Sequence, residues 1–177
     1  MSINGIACMK KRYNIVVTGA TGFVGSNLVR YILERGEADI TCLVRRSSNT
    51  ALLRSLPITI AEVDFFQPDT ISPYIAQADY IFHLAAMTHA KSKEEIFRAN
   101  RDMAQILFDL YAKHRSTVKA YFFLSSLAAV GPKDFGFHDP CRTTDLHPLS
   151  QYGASKLEGE KLHWSYLKDP SYTVKIV

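Results

Sequence analysis

Cysteine is scarce: the 177 residues hold three, Cys8, Cys42 and Cys141. None belongs to a CxxC pair or to a histidine-linked spacing, so neither a metal site nor a disulfide framework is expected. Cys42 lies in an apolar run and reads as a buried thiol, and a reducing, cytoplasmic setting is the simplest reading. No apolar run is long enough to span a bilayer, so no membrane segment is expected. Basic residues are scattered rather than clustered around aromatic platforms, which argues against a nucleic-acid partner. The net charge of +4 is mild and suits a small anionic ligand. Ahead of Lys10, Lys11 and Arg12 the apolar stretch is too short and too polar for a secretory signal. Residues 1–12 therefore read as a loose extension, with Met9 an alternative start. Repeats, low-complexity tracts and linkers are all lacking. The length suits one domain with a proper core, over residues 13–177.

What is present is an alternation of strand and helix. Residues 14–18, 40–44, 58–63, 80–84, 118–124 and 172–177 are rich in β-branched and aromatic side chains. Helices are expected between several of them. Val24, Leu28, Tyr31 and Ile32 recur at helical spacing before Gly36, a natural C-cap, and longer helical patterns cover residues 93–114 and 150–168. Such alternation predicts a doubly wound α/β (Rossmann) fold, with helices on both faces of a parallel sheet of about six strands. Ligands of such sheets bind at the carboxyl ends of the strands. The unusual residues collect there: Gly19 after the first strand, Arg45 and Arg46 after the second, Asp64 after the third, Ala85 and Ala86 after the fourth, and Ser125 and Ser126 after the fifth.

The turn Gly19-Ala20-Thr21-Gly22-Phe23-Val24-Gly25 sits between a strand and an amphipathic helix. Its G-x-x-G-x-x-G spacing differs from the G-x-G-x-x-G dinucleotide fingerprint but meets the same needs. The chain must turn tightly, admit a pyrophosphate to the backbone and let the helix pack close to the sheet. The helix N-terminus then offers free N–H groups to the phosphates. Farther on, Tyr152-Gly153-Ala154-Ser155-Lys156 puts Tyr152 and Lys156 four apart on one helix face. Such a pair is common on helix surfaces. Beside a dinucleotide turn and a strand-end serine it reads instead as chemistry, because an ammonium stabilises a phenolate and a phenol can move a proton at a carbonyl or alcohol. Asn100 is the polar member of the stripe Ile96, Asn100, Met103, Leu107, Phe108 and Tyr111. A buried amide needs partners, so Asn100 either bridges backbone groups or supports the site.

Together these segments resemble the extended branch of the short-chain dehydrogenase/reductase superfamily, the NAD-dependent epimerase/dehydratase family. The matching pieces are Thr18 to Gly25, Val63-Asp64, His83-Leu84-Ala85-Ala86, Leu124-Ser125-Ser126-Leu127-Ala128-Ala129-Val130-Gly131 and Tyr152 to Lys156, in family order over almost the whole chain. The resemblance implies catalytic roles for Ser126, Tyr152 and Lys156. Tyr152 is the acid/base, Lys156 activates it and holds the nicotinamide ribose, and Ser126 rather than Ser125 orients the substrate oxygen. It implies cofactor contacts from Gly19, Thr21, Gly22, Phe23, Val24 and Gly25, from Asp64 and Phe65 at the adenine, from Leu84, Ala85 and Ala86 through the backbone, and from Asn100. His83 reads as a packed strand residue.

NAD-preferring sites usually carry an acid after the second strand. Arg45 stands there, followed by Arg46, Ser47 and Ser48, and a guanidinium suits a 2′-phosphate. NADP is therefore favoured over NAD. The substrate is expected to be a small molecule, with nucleotide sugars among the choices, and a homodimer fits the family. Epimerase, dehydratase and carbonyl reductase share every motif quoted. Relatives continue past a sixth strand into a smaller substrate region that does not follow Val177, and the tyrosine many of them have between Val130 and Gly131 is missing. A non-catalytic dinucleotide-binding module, acting as a sensor or partner subunit, is the alternative from another class.

Overall fold

Six short runs of β-branched and aromatic residues pair into one sheet. The computed structural model describes residues 12–132 and 146–177. Cys8, Cys141 and all of the expected extension except Arg12 lie outside the described residues. The strands are β1 (Tyr13–Thr18), β2 (Ala38–Val44), β3 (Thr59–Glu62), β4 (Tyr80–His83), β5 (Ala120–Phe123) and β6 (Val174–Ile176). All pairings are parallel, in the order β3-β2-β1-β4-β5-β6. This order reverses between β1 and β4, and a crevice opens at such a reversal. No helix among the described residues is long and apolar enough to cross a membrane.

Both sheet faces are covered, which explains why the central strands read as unbroken apolar runs. Ile15, Val17, Ile40, Cys42 and Val44 enter one core with Val29 of helix α1 (Phe23–Arg35). Burial pushes the Cys42 thiol up to about 12, so it stays protonated and inert. Val16, Ile81, Tyr121 and Phe123 enter the other core, beneath α2 (Pro68–Ala76), α4 (Met103–Lys113) and α6 (Gln151–Trp164).

Strand positions match expectation to within about two residues, but three helical features do not. First, α1 does not bury the expected stripe. Val24 and Tyr31 are exposed, and the buried positions are Gly25 and Val29. Gly25 closes against the backbone of Gly19 and Ala20 in the turn, and Val29, outside the expected stripe, enters the sheet core. Second, α2 was not anticipated, because Pro68 and Pro73 look like breakers. Pro68 occupies the first turn, where its missing N–H costs nothing. Third, residues 93–114 form α3 (Lys93–Phe97), a π-helical turn (Arg98–Asp102) and then α4. Asn100 lies in that π turn, fully buried. A four-residue helix α5 (Leu127–Val130) also follows β5.

Candidate functional site

The ends of β1 and β4 are stitched together by polar side chains. The Thr18 hydroxyl lies 2.8 Å from His83 Nδ1, and the same oxygen accepts the Ala85 N–H at 3.3 Å. The stitch brings the loop after β4 against the glycine turn. A Cβ on Gly19, whose φ is +74°, would sit 2.5 Å from the Ala85 nitrogen. A Cβ on Gly25 would sit 2.2 Å from the Gly19 carbonyl oxygen. Gly22 N–H closes the turn onto that same oxygen at 3.0 Å. The turn is thus a bare-backbone cradle at the start of α1, and it suits a pyrophosphate.

The cradle opens into a cleft of about 1040 Å³. Gly19, Thr21 and Gly22 form its floor, Arg45 and Arg46 stand on the β2 side with Ser47 and Ser48, and Leu84, Ala85 and Ala86 form the opposite wall. Asp64 and Phe65 close the β3 side. The Asp64 carboxylate accepts the Phe66 N–H at 2.9 Å, while Thr70 bonds the Asp64 backbone. That turn holds the acid at the cleft. Among the described residues neither arginine forms an ion pair. The cleft also carries Glu62, Glu95, Met87 and Arg98, which sequence reasoning missed. The Arg98 guanidinium lies 4.2 Å over the Phe66 ring at its rim. No local sequence signal pairs residues 32 apart, so this contact is legible only in three dimensions.

Phe23, Val24 and Gly25 flank the cradle rather than line the cleft, and Asn100 does not line it either. The Asn100 amide accepts the Met87 N–H at 2.7 Å and donates to the Met87 carbonyl at 2.9 Å and to Ser155 Oγ at 2.8 Å. It braces the β4 wall against α6 through the Met87 backbone and the Ser155 hydroxyl.

The reactive candidates are not among the residues lining the cleft; they lie just after β5 and on α6. Ser126 caps α5, its oxygen accepting the Ala128 N–H at 3.2 Å, which leaves its own O–H able to donate. Ser150 caps α6, accepting the Gly153 N–H at 2.9 Å. Tyr152 is half-buried in the first turn of that helix, while Lys156, one turn on, is 1% exposed. The Lys156 ammonium lies 4.1 Å from the centre of the Phe123 ring. Burial pulls its pKa down to about 8, against the pull of the Glu160 carboxylate. His83 proves to be the packed strand residue expected, at 0% exposure.

Against this geometry, known proteins can be compared. Residues 15–177 match the model of the NAD dependent epimerase/dehydratase family. The chain belongs to that family. It is 28% identical to a dTDP-glucose 4,6-dehydratase of Streptomyces antibioticus, over 92% of this chain and 51% of that protein. It is 30% identical to a UDP-glucose 4-epimerase of Vibrio cholerae, over 93% and 50%. The chain therefore spans about half the length of these curated relatives. In fold it resembles the UDP-Glc/GlcNAc 4-epimerase of Campylobacter jejuni (TM-score 0.80, 20% identity, 93% of this chain and 52% of that one). It also resembles a UDP-glucuronic acid 4-epimerase of Bacillus cereus in complex with NAD (TM-score 0.74, 24% identity, 92% and 55%).

The epimerase/dehydratase chain hides two uncharged histidines behind Lys156. His163 Nδ1 lies 2.6 Å from the Gly159 carbonyl, so it carries the proton, and Nε2 has no partner. Burial, helped by the Lys156 charge, lowers the pKa of His163 to about 4; burial, that same charge and His163 hold His83 well below its usual range. Each binds its proton more readily when unfolded, so stability falls as pH drops from about 6.5 towards 4. For His163 this loss is on the order of 3 kcal/mol. Urea unfolding at pH 7 and pH 4 should show it, and His163→Phe should flatten the dependence. An equal dependence in the variant would mean that His163 is not buried neutral.

Proposed function

We propose that this chain is the cofactor-binding and reactive part of an NAD(P)-dependent epimerase, dehydratase or carbonyl reductase, acting on a small carbonyl or alcohol. The observation that carries this reading is the glycine cradle, a bare-backbone floor ringed by four strand ends, in a chain that also carries Ser126, Tyr152 and Lys156. The relatives named above make a nucleotide sugar the favoured substrate class.

In the oxidative direction the Tyr152 oxygen takes the proton from the substrate hydroxyl, and in the reductive direction it returns one. The Ser126 O–H donates to the same substrate oxygen and fixes it. The Lys156 ammonium offers donors to a ribose. The nicotinamide, when bound, accepts or returns the hydride. Asp64 suits the adenine amino group.

NADP is the favoured dinucleotide, because Arg45 and Arg46 stand after β2 without carboxylate partners and an acid there would repel a 2′-phosphate. Fluorescence titration with NADPH and NADH tests this directly. NADPH should bind more tightly. Arg45→Ala should weaken NADPH binding by about tenfold, the equivalent of one charge-assisted hydrogen bond, and leave NADH unchanged. Tighter binding of NADH would overturn the preference. Following nicotinamide absorbance during turnover by the complete protein tests the enzyme reading. Dinucleotide binding without any turnover is what a sensor module would give.

A further inference from the structure

On its β3 side the cleft ends in a contact that the glycine turn and the strand-end arginines do not explain. Arg98 and Phe66 both line it, and the Arg98 guanidinium lies 4.2 Å from the centre of the Phe66 ring. Both side chains are exposed, Phe66 at 37%. Their backbones are nonetheless held. The Phe66 N–H donates to the Asp64 carboxylate at 2.9 Å. Arg98 opens the π-helical turn, with buried Ile96 before it and buried Asn100 after it, and its carbonyl accepts the Met103 N–H. Single π turns of this kind are frequent at functional sites.

Arg98 has carboxylates within helical reach, yet it rests on the ring. Glu94 and Glu95 precede it by four and three residues, the spacings at which helical side chains meet. Among the described residues the Arg98 guanidinium makes no ion pair with either. Glu95 is committed to capping α3: its carboxylate accepts the Lys91 N–H at 3.2 Å, and its own N–H donates to Ser92 Oγ at 3.2 Å. A guanidinium is planar and weakly hydrated, so it can lie on one ring and offer its other face to a second. Asp64 keeps acceptor capacity beyond its bond to Phe66, since a carboxylate can take several donors. One loop and one helical turn thus present a flat cation beside a carboxylate. A flat, electron-rich ring bearing an amino group matches both, and an aminopurine is such a ring.

We propose that Arg98, carried on Phe66, is the stacking surface for the adenine base of the dinucleotide, and so determines affinity for ligands that bear that base. This rests on the reading of the cleft as a dinucleotide site. It gives Arg98 a role apart from Arg45 and Arg46, which serve the 2′-phosphate from the β2 side.

Fluorescence titration with NADPH, and its displacement by ADP and by inorganic pyrophosphate, test the assignment without any turnover. Arg98→Ala should weaken NADPH and ADP by about tenfold, within the range for loss of one base stack. Pyrophosphate, which has no base, should bind as it does to the parent. Arg98→Lys should lose about as much as Arg98→Ala, because it keeps the charge but not the plane. Phe66→Leu, which removes the ring beneath the guanidinium, should cost about threefold. The cofactor-free variants should melt close to the parent, since both side chains are exposed. Unchanged NADPH and ADP affinity in Arg98→Ala overturns the proposal. Full recovery in Arg98→Lys, or an equal loss for pyrophosphate, also overturns it, because either would make Arg98 a bare charge. A parent chain that binds neither NADPH nor ADP overturns the dinucleotide reading itself, and the proposal with it.

Discussion

Gly25→Val should abolish dinucleotide binding and destabilise the chain by about 3 kcal/mol, the upper end of the usual cost of overpacking a close contact. The reason is geometric. The first atom of any side chain at Gly25 would lie 2.2 Å from the Gly19 carbonyl oxygen and 2.8 Å from the Ala20 Cα. Both obstacles are backbone, so no rotamer relieves them, and α1 must move off the turn. The Gly19 carbonyl is also the acceptor that closes the turn through Gly22, so the displacement opens the cradle itself. The N–H groups of the helix start then no longer converge. Thermal melting and NADPH titration measure the two effects separately. Gly36→Ala is the control. Its Cβ would meet nothing within 4 Å, and only its positive φ of 67° penalises it. It should therefore lower stability by about 1 kcal/mol and bind dinucleotide normally. Normal binding by Gly25→Val would remove the cradle from the argument.

The second large effect is expected at Tyr152. In the complete protein, Tyr152→Phe should lower turnover by about 10²- to 10⁴-fold, the usual contribution of one positioned acid/base. It should leave dinucleotide affinity and melting temperature close to those of the parent. Among the described residues the Tyr152 hydroxyl makes no hydrogen bond, while the Tyr152 backbone carbonyl accepts the Ser155 hydroxyl at 2.7 Å, and Phe preserves that bond. Ser155 in turn remains held by Asn100. Full turnover in Tyr152→Phe would sink the assignment, whereas loss of both turnover and binding would point to a packing role.

Much of this was legible along the chain, for physical reasons that differ by element. Strands were readable because a sheet covered on both faces demands continuous apolar runs, as in Ile40 to Val44. The polar residues gathered at strand ends were readable because a parallel sheet brings those ends to one edge. Asn100 stood out because its five stripe partners are apolar, and all six positions are buried. The buried face of α1 was half legible: Gly25 belongs to the glycine turn expected to let this helix pack close, but the buried Val29 lies off the stripe of Val24, Leu28, Tyr31 and Ile32. Pro68 and Pro73 hid α2, because a proline favourable in a first turn looks in sequence like one that ends a helix. The hydrogen bond from Ser125 to the Glu160 carboxylate was not legible, because it spans 35 residues and belongs to the fold alone.

The residues lining the cleft lie between Gly19 and Met103, and Ser126, Tyr152 and Lys156 all come after them. The cleft and the proposed reactive residues are thus separated along the chain. A chain is synthesised from its N-terminus, and its early parts can begin to fold first. Every wall of the cleft therefore leaves the ribosome before the residues that would react there, and the order of synthesis places the dinucleotide cradle ahead of its chemistry.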